Sequence, residues 1–335
     1  MSSWQVINWS NSAALPAGAV LALGTFDGVH RGHQAILARA RSLAQEWRVP
    51  AGVLTFDPHP LAVLRGDSPE LLTTLPEKLD LFARLGMDGA VILQFDRELA
   101  ELPATDFVEQ VLIRELQVRA VVVGFNFTFG RKAEGDASRL RHEGEERGLK
   151  VEVVGPVAVN GLTVSSSIIR QLLLRGDVAE SGRLLGRPYA VEGRVVPGEQ
   201  RGRQLGIPTA NLALPTGKLL PADGVFAGSA SILNVETGEP EAPVTAWPAV
   251  ISISDKPTFR ACHDSAGEVA RVLEVHLLDF TGDLYGRRLR VEFFEFLRPI
   301  QRFANAEMLR TRMLADVAKA REVNKRLQVR DRVVK

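Results

Sequence analysis

The chain has 335 residues, enough for two domains of about 150 residues each, and its 45% apolar and 24% charged residues, with a mean hydropathy of +0.01, describe a packed globular protein rather than a disordered one. Forty-one lysines and arginines against 40 aspartates and glutamates leave a net charge of +1, which supplies no global field for nucleic acid. One cysteine, Cys262, excludes an internal disulfide and any multi-thiolate metal site and suits a reducing, cytoplasmic setting, while neither a secretory leader nor an 18-residue apolar run points to a membrane.

Residues 19–159 alternate short apolar runs with helix-period runs, the pattern of an α/β domain with a parallel sheet and crossover helices. Strands are expected at 19–24, 51–56, 89–95, 120–124 and 151–156. Between the first two, Ile36, Leu37, Ala40, Leu43, Ala44 and Trp47 define a helix with one apolar face that ends before Pro50. A second helix fits 105–117, with Thr105 as N-cap and Phe107, Val108, Val111 and Leu112 facing inward. The charged run 139–147 reads as a solvated helix face. After Leu185 the pattern changes, because 190–196, 225–233, 244–252, 269–278 and 288–297 favour strands with no long helix between them. Leu273, Val275 and Leu277 alternate with Glu274, His276 and Leu278, so that strand has two distinct faces, and a small closed antiparallel barrel is expected. Phe293, Phe294 and Phe296 are expected to fill the barrel and pack a final helix at 305–327, whose Leu309, Met313, Val317 and Ala320 recur at helical spacing and cap the barrel. Residues 236–243 read as an exposed loop, and nothing is assigned to His263. The boundary falls near Gly186, dividing the chain into 1–186 and 187–335.

The segment Gly24-Thr25-Phe26-Asp27-Gly28-Val29-His30-Arg31-Gly32-His33 lies where a strand turns into a helix, the place where open α/β sheets bind ligands. Gly28 and Gly32 let the backbone approach a ligand, the helix N-terminus offers N–H groups to phosphate, and two histidines share the first turn. The same residues are compatible with a capped helix bearing two surface histidines, or with a metal pair. Asp27 either orients a histidine, binds magnesium indirectly, or serves the turn itself.

This motif, followed by Leu54-Thr55-Phe56-Asp57-Pro58-His59-Pro60, Gly124-Phe125-Asn126-Phe127-Thr128-Phe129-Gly130 and Val164-Ser165-Ser166-Ser167-Ile168-Ile169-Arg170, resembles the adenylyltransferase module of bacterial bifunctional riboflavin kinase/FAD synthetases. The resemblance implies a Rossmann-like nucleotidyltransferase domain in which Gly24, Phe26, Asp27, Gly28 and Gly32 line the ATP site. It also implies that His30 and His33 hold the ATP phosphates, and that Arg170 neutralises the departing pyrophosphate with Ser165 and Ser166 adding donors. Asn126 would help hold the incoming nucleotide or flavin. Asp57 and Pro58 belong either to a flavin-side loop or to a rigid turn. Ser167 stands where the family usually has threonine, which keeps the hydroxyl.

In the second half, Gly193-Arg194-Val195-Val196, the run Gly202-Arg203-Gln204-Leu205-Gly206-Ile207-Pro208-Thr209-Ala210-Asn211 and Leu273 to Phe280 with Asp283-Leu284-Tyr285-Gly286 resemble the riboflavin kinase module. That likeness implies ATP binding by Gly193, Gly202, Arg203, Gly206, Pro208, Thr209 and Asn211, with Thr209 and Asn211 as oxygen ligands of Mg2+ and Glu274 as general base. Taken alone, Pro-Thr-Ala-Asn is a common turn, and an alternating glutamate is commonly a strand's wet face. Three departures bear on the shape of the nucleotide loop: Pro197 in place of a frequent histidine, Ile207 in place of phenylalanine, and Ser252-Ile253-Ser254-Asp255-Lys256-Pro257-Thr258 in place of Asn-Ile-Gly-x-Arg-Pro-Thr. The expected enzyme makes FMN from riboflavin and FAD from FMN, using Mg2+ and ATP, with these small molecules as its partners. Its rivals are a nucleotidyltransferase of another substrate and a flavin- or nucleotide-sensing protein.

Overall fold

A computed structural model describes residues 5–8, 18–66, 69–198, 206–234, 246–255 and 271–333. Gly202, Arg203, Cys262, His263, Lys256 to Thr258 and the loop 236–243 lie outside the described residues. The chain forms two compact units, Met1–Ser166 and Ser167–Lys335, so the helices just before Gly186 group with the second.

The first unit is built on six parallel strands: β1 (Gln5–Asn8), β2 (Val20–Leu23), β3 (Ala51–Asp57), β4 (Gly89–Gln94), β5 (Ala120–Gly124) and, after the short pair β6 (Thr128–Phe129) and β7 (Gly135–Asp136), β8 (Lys150–Val154). Their order is β1-β4-β3-β2-β5-β8, so the winding reverses between β2 and β5 and opens a crevice at their C-terminal ends. Both faces of the sheet are covered, which is why the strands read as unbroken apolar runs. Val20 and Ala22 meet Ile36, Leu37, Ala40 and Leu43 of helix α1 (Arg31–Trp47), whereas Leu21 and Leu23 meet Phe107, Val111 and Leu112 on the other side. Arg48, in the left-handed conformation at φ 58°, ends α1 before Pro50.

Helices α2 (Pro60–Arg65), α3 (Leu75–Arg84) and α4 (Arg97–Glu101) were not expected from periodicity, although Thr74 and Glu77 form a capping box at the start of α3. Helix α5 begins at Ala104–Asp106 and continues as a π-helix over Phe107–Glu115. Thr105 therefore does not cap it. Its hydroxyl donates instead to Glu143 Oε1 at 2.8 Å, because that carboxylate sits buried at 6% exposure on α6 (Ala137–Glu146) and must be satisfied. The charged run that opens at Arg139 is thus only partly a solvated face, since Leu140 and Glu143 point inward.

After the short pair β9 (Ala158–Val159) and β10 (Leu162–Thr163) come α7 (Ser166–Leu174) and α8 (Val178–Leu185). The second unit closes as a barrel of β11 (Tyr189–Val196), β12 (Ala210–Ala213), β13 (Gly224–Leu233), β14 (Ala246–Asp255), β15 (Arg271–Leu277) and β16 (Arg288–Arg298), in the order β11-β12-β15-β14-β13-β16 with β16 pairing back onto β11. Leu212, Leu273 and Ile253 stand in register, as do Val275, Ile251 and Phe226, and these buried rows fill the interior. Phe293 packs edge-on against Phe226 inside, Phe294 lies against the final helix, and Phe296 remains 39% exposed. That helix, α9 (Ala306–Val333), lies along the outside of β13, β14 and β16, with Ala320 and Val323 against Ala227. Arg298 on β16 grips Asp316 on α9 through both carboxylate oxygens, at 2.7–3.1 Å, with both residues buried. No helix among the described residues is long and apolar enough to cross a membrane.

Candidate functional sites

The crevice at the head of β2 is shaped by a strained loop. Phe26 and Val29 take left-handed φ values of 50° and 41°, beside Gly28 at 84°. The loop is held by Asp27, only 2% exposed, whose carboxylate accepts from the backbone N–H groups of Leu72 and Thr73 at 3.2 and 3.0 Å. Thr73 Oγ1 in turn accepts from Gly28 N–H at 2.8 Å. Asp27 is thus a tie between the loop and the segment before α3.

From that tie the chain enters α1, whose N-cap is His30. His30 Nδ1 accepts from His33 N–H at 3.3 Å, which puts the hydrogen of a neutral ring on Nε2. The two imidazoles stack with centroids 3.6 Å apart and planes 15° apart. Gly32 makes this possible, for a Cβ there would come within 3.1 Å of the His30 ring. Phe26, fully buried, packs edge-on against His33 at 5.2 Å and against Phe82 at 5.6 Å, so it braces a histidine from behind. No acidic side chain occupies the first turn of α1, whose dipole favours an anion.

Three other loops border the same edge of the sheet. The Gly24 N–H bonds to the Leu54 carbonyl, and a Cβ on Gly24 would press on the Phe26 ring at 3.3 Å. Asp57 and Pro58, at the end of β3, are exposed and joined by a cis peptide, and His59 Nδ1 caps α2 by accepting from the Leu61 N–H at 3.2 Å. Asn126 is exposed just past β5, next to β2 in the sheet. Ser166 Oγ donates to the Asp27 carbonyl at 2.9 Å, so its hydroxyl hydrogen is already engaged. Ser165 is half-buried beside it. Arg170, one helical turn past Ser166 on α7, counts with the second unit.

Lys78, absent from the sequence reading, is 7% exposed on α3 and donates to the Thr25 carbonyl at 3.2 Å. Burial lowers its pKa from the ordinary lysine value against the opposing pull of Asp27 and Asp57. The capping box that starts α3 was the available signal for this helix; that its fourth residue turns toward Thr25 is a tertiary fact.

In the barrel, register brings the second set together. Glu274 on β15 stands opposite Asn211 on β12 and opposite Ser252 on β14, all half-buried on the face away from the packed interior. The Asn211 amide lies where a side chain on Gly198 would be, since a Cβ there would fall 1.9 Å from Nδ2. Thr209 is half-buried, Pro208 exposed, and Gly206 turns the chain at φ 76°. Ile207 is buried at 5%, so the residue that replaces phenylalanine fills core space. Gly193 has a packing reason to be glycine, because a Cβ would strike the Ala213 carbonyl at 2.6 Å. Pro197 is exposed.

Comparison with known proteins supplies the rest. A family model described as FAD synthetase matches residues 12–168, and one described as riboflavin kinase matches 185–324. A bifunctional riboflavin kinase/FMN adenylyltransferase of Pseudomonas fluorescens is 41% identical over 304 residues, covering 91% of this chain and 92% of the relative. One of Escherichia coli strain K12 is 38% identical over 313 residues, covering 93% and 94%. Among solved structures, a Streptococcus pneumoniae chain described as a macrolide-efflux protein is similar in fold, with a TM-score of 0.82 and 30% identity over 95% of this chain and 98% of that one. With both models matched in order and full-length relatives above 30% identity, the chain belongs to the bifunctional riboflavin kinase/FMN adenylyltransferase family.

Proposed function

We propose that the chain phosphorylates riboflavin to FMN in its second unit and joins FMN to the adenylyl group of ATP in its first. The observation that carries this reading is that each matched half gathers its own polar cluster, the stacked His30–His33 pair at the reversal of the sheet and the Asn211–Glu274 pair on the barrel.

In the first unit an oxygen of the FMN phosphate attacks the α-phosphorus of ATP and pyrophosphate leaves. His30 Nε2–H and the His33 ring donate to the phosphate oxygens where charge builds, in a geometry set beforehand by Gly32 and Phe26. Asp27 acts by holding the loop. The backbone N–H groups of the Ser165–Ser166 segment and the Arg170 guanidinium receive the departing pyrophosphate, and Asn126 with Asp57 and Pro58 borders the flavin nucleotide.

In the second unit Glu274 takes the proton of the ribityl 5′-hydroxyl as its oxygen bonds to the γ-phosphorus and ADP leaves. Thr209 and Asn211 offer neutral oxygens, a donor set that fits Mg2+, and Gly198 leaves the Asn211 amide the room it occupies. Magnesium there would screen the phosphate charge. The reading places the enzyme in the cytoplasm, where ATP and a reduced Cys262 are both at home.

Purified protein incubated with riboflavin, ATP and magnesium tests the whole reading, with products resolved by chromatography. FMN followed by FAD is expected; tight flavin or nucleotide binding without release of ADP or pyrophosphate would favour a sensing protein instead.

A further inference from the structure

The residue two beyond Glu274 on β15 shares its face of the barrel. That residue, His276, stands in register with Val250, which packs toward α9, and is half-buried. Its Nδ1 lies 2.7 Å from the carbonyl oxygen of Pro208. A carbonyl oxygen only accepts, so Nδ1 carries the hydrogen. Burial lowers the imidazole pKa, which favours the neutral ring in this tautomer, and the nearest charges, Arg321 on α9 and Asp279 past the end of β15, are bound to each other in a bidentate ion pair.

What the bond restrains is the turn into β12. Proline fixes φ at Pro208, leaving ψ as the soft torsion that sets the plane of the next peptide. A trans peptide opposes its C=O and the following N–H, so anchoring the Pro208 carbonyl on His276 turns the Thr209 N–H away from the ring and sets where β12 begins. Two residues later that strand puts Asn211 opposite Glu274. We infer that His276 is a positioning residue of the kinase site, holding the Pro208–Thr209 peptide so that Thr209 and Asn211 meet the magnesium–nucleotide in a fixed geometry. This rests on the proposed ligand roles of Thr209 and Asn211.

The test compares His276→Asn, whose amide Nδ2 takes the place of Nδ1–H, with His276→Leu, of similar shape but with no donor, in the full-length protein. Riboflavin phosphorylation is measured over a range of magnesium–ATP, beside FAD formation from added FMN and a thermal melt. The leucine variant should lose about tenfold in kcat/KM for magnesium–ATP, the asparagine variant should recover most of it, and FAD formation should hold in both. Should the leucine variant fail to fold, His276→Ala replaces it against the same asparagine arm. Equal losses in the donor and non-donor variants, or kinetics within twofold of the parent in both, would overturn the role. Thr209→Val separates the underlying reading: full turnover there refutes the ligand role of Thr209, whereas loss there with full turnover in His276→Leu refutes only the positioning by His276.

Discussion

A glutamate on the wet face of a strand and a glutamate that takes a proton from a hydroxyl occupy the same register but differ by orders of magnitude in effect. Glu274→Gln should cut FMN formation by about 10² to 10⁴ while leaving FAD formation from added FMN intact. As an exposed strand residue alone it would shift stability by no more than about 0.5 kcal/mol and turnover hardly at all. Near-parent kinase turnover would remove Glu274 from the chemistry. His33→Ala should do the converse, slowing FAD formation by about 10² to 10³ with the kinase unaffected, and equal loss of both activities would mean that the histidine serves folding. At this scale the sequence was informative where chemistry sits in a short motif: His30 and His33 stack within one helical turn, with Gly32 leaving the His30 ring its room. It was silent where a partner is far along the chain. Asp27 meets Thr73 across a separation of 46 residues, and Lys78 reaches Thr25 across 53, distances over which no periodicity carries information.

Among the elements, α1 shows how an element is both legible and tied by something illegible. Its apolar stripe of Ile36, Leu37, Ala40, Leu43 and Ala44 is plain in the sequence and is the face that is buried. Its exposed side carries Arg39, which reaches β8 and holds Glu152 through two hydrogen bonds at 2.5 and 2.8 Å. The Arg39 hydrogen bond keeps the Glu152 carboxyl below the ordinary glutamate range. A carboxyl depressed in the folded state adds stability above its unfolded pKa of about 4.3 and loses it as pH falls through the lower folded value. Glu152→Gln should therefore lower the melting temperature by about 2–4 °C at pH 7, for a partly exposed pair worth about 1 kcal/mol. The gap between parent and variant melting curves should narrow as pH falls below about 4.3 and close once Glu152 is protonated in the folded state; a gap that persists in strong acid would assign the effect to packing. The strands β11, β14, β15 and β16 were legible because each alternates, whereas β12, four residues that begin inside the Pro-Thr-Ala-Asn stretch, was too short for a period to emerge. Helix α5 was found with the wrong start, since Thr105 looks like a cap until a buried carboxylate from α6 claims its hydroxyl.

For the whole molecule, the change of pattern at Gly186 and the division of the chain into compact units at Ser166 ask where the kinase unit begins. Gly186 ends a helix in the left-handed conformation, which is why a boundary looks natural there. Helix α8, however, buries Val178, Leu184 and Leu185 and packs on β11 and β16, while Leu173 at the end of α7 accepts from the Ala222 N–H at 2.9 Å. Three buried aliphatic side chains contribute about 1.5–3 kcal/mol each, so removing α8 costs a sum close to the entire stability of a small domain. A fragment of residues 167–335 is therefore expected to fold cooperatively and convert riboflavin to FMN without making FAD. One of residues 187–335 should lack a cooperative melt and turnover, with the exposed strand faces prone to association. Circular dichroism melts of both fragments beside an FMN assay make the comparison. Equal melting and turnover in the two would show that α7 and α8 serve the first unit, and would move the functional boundary to Gly186.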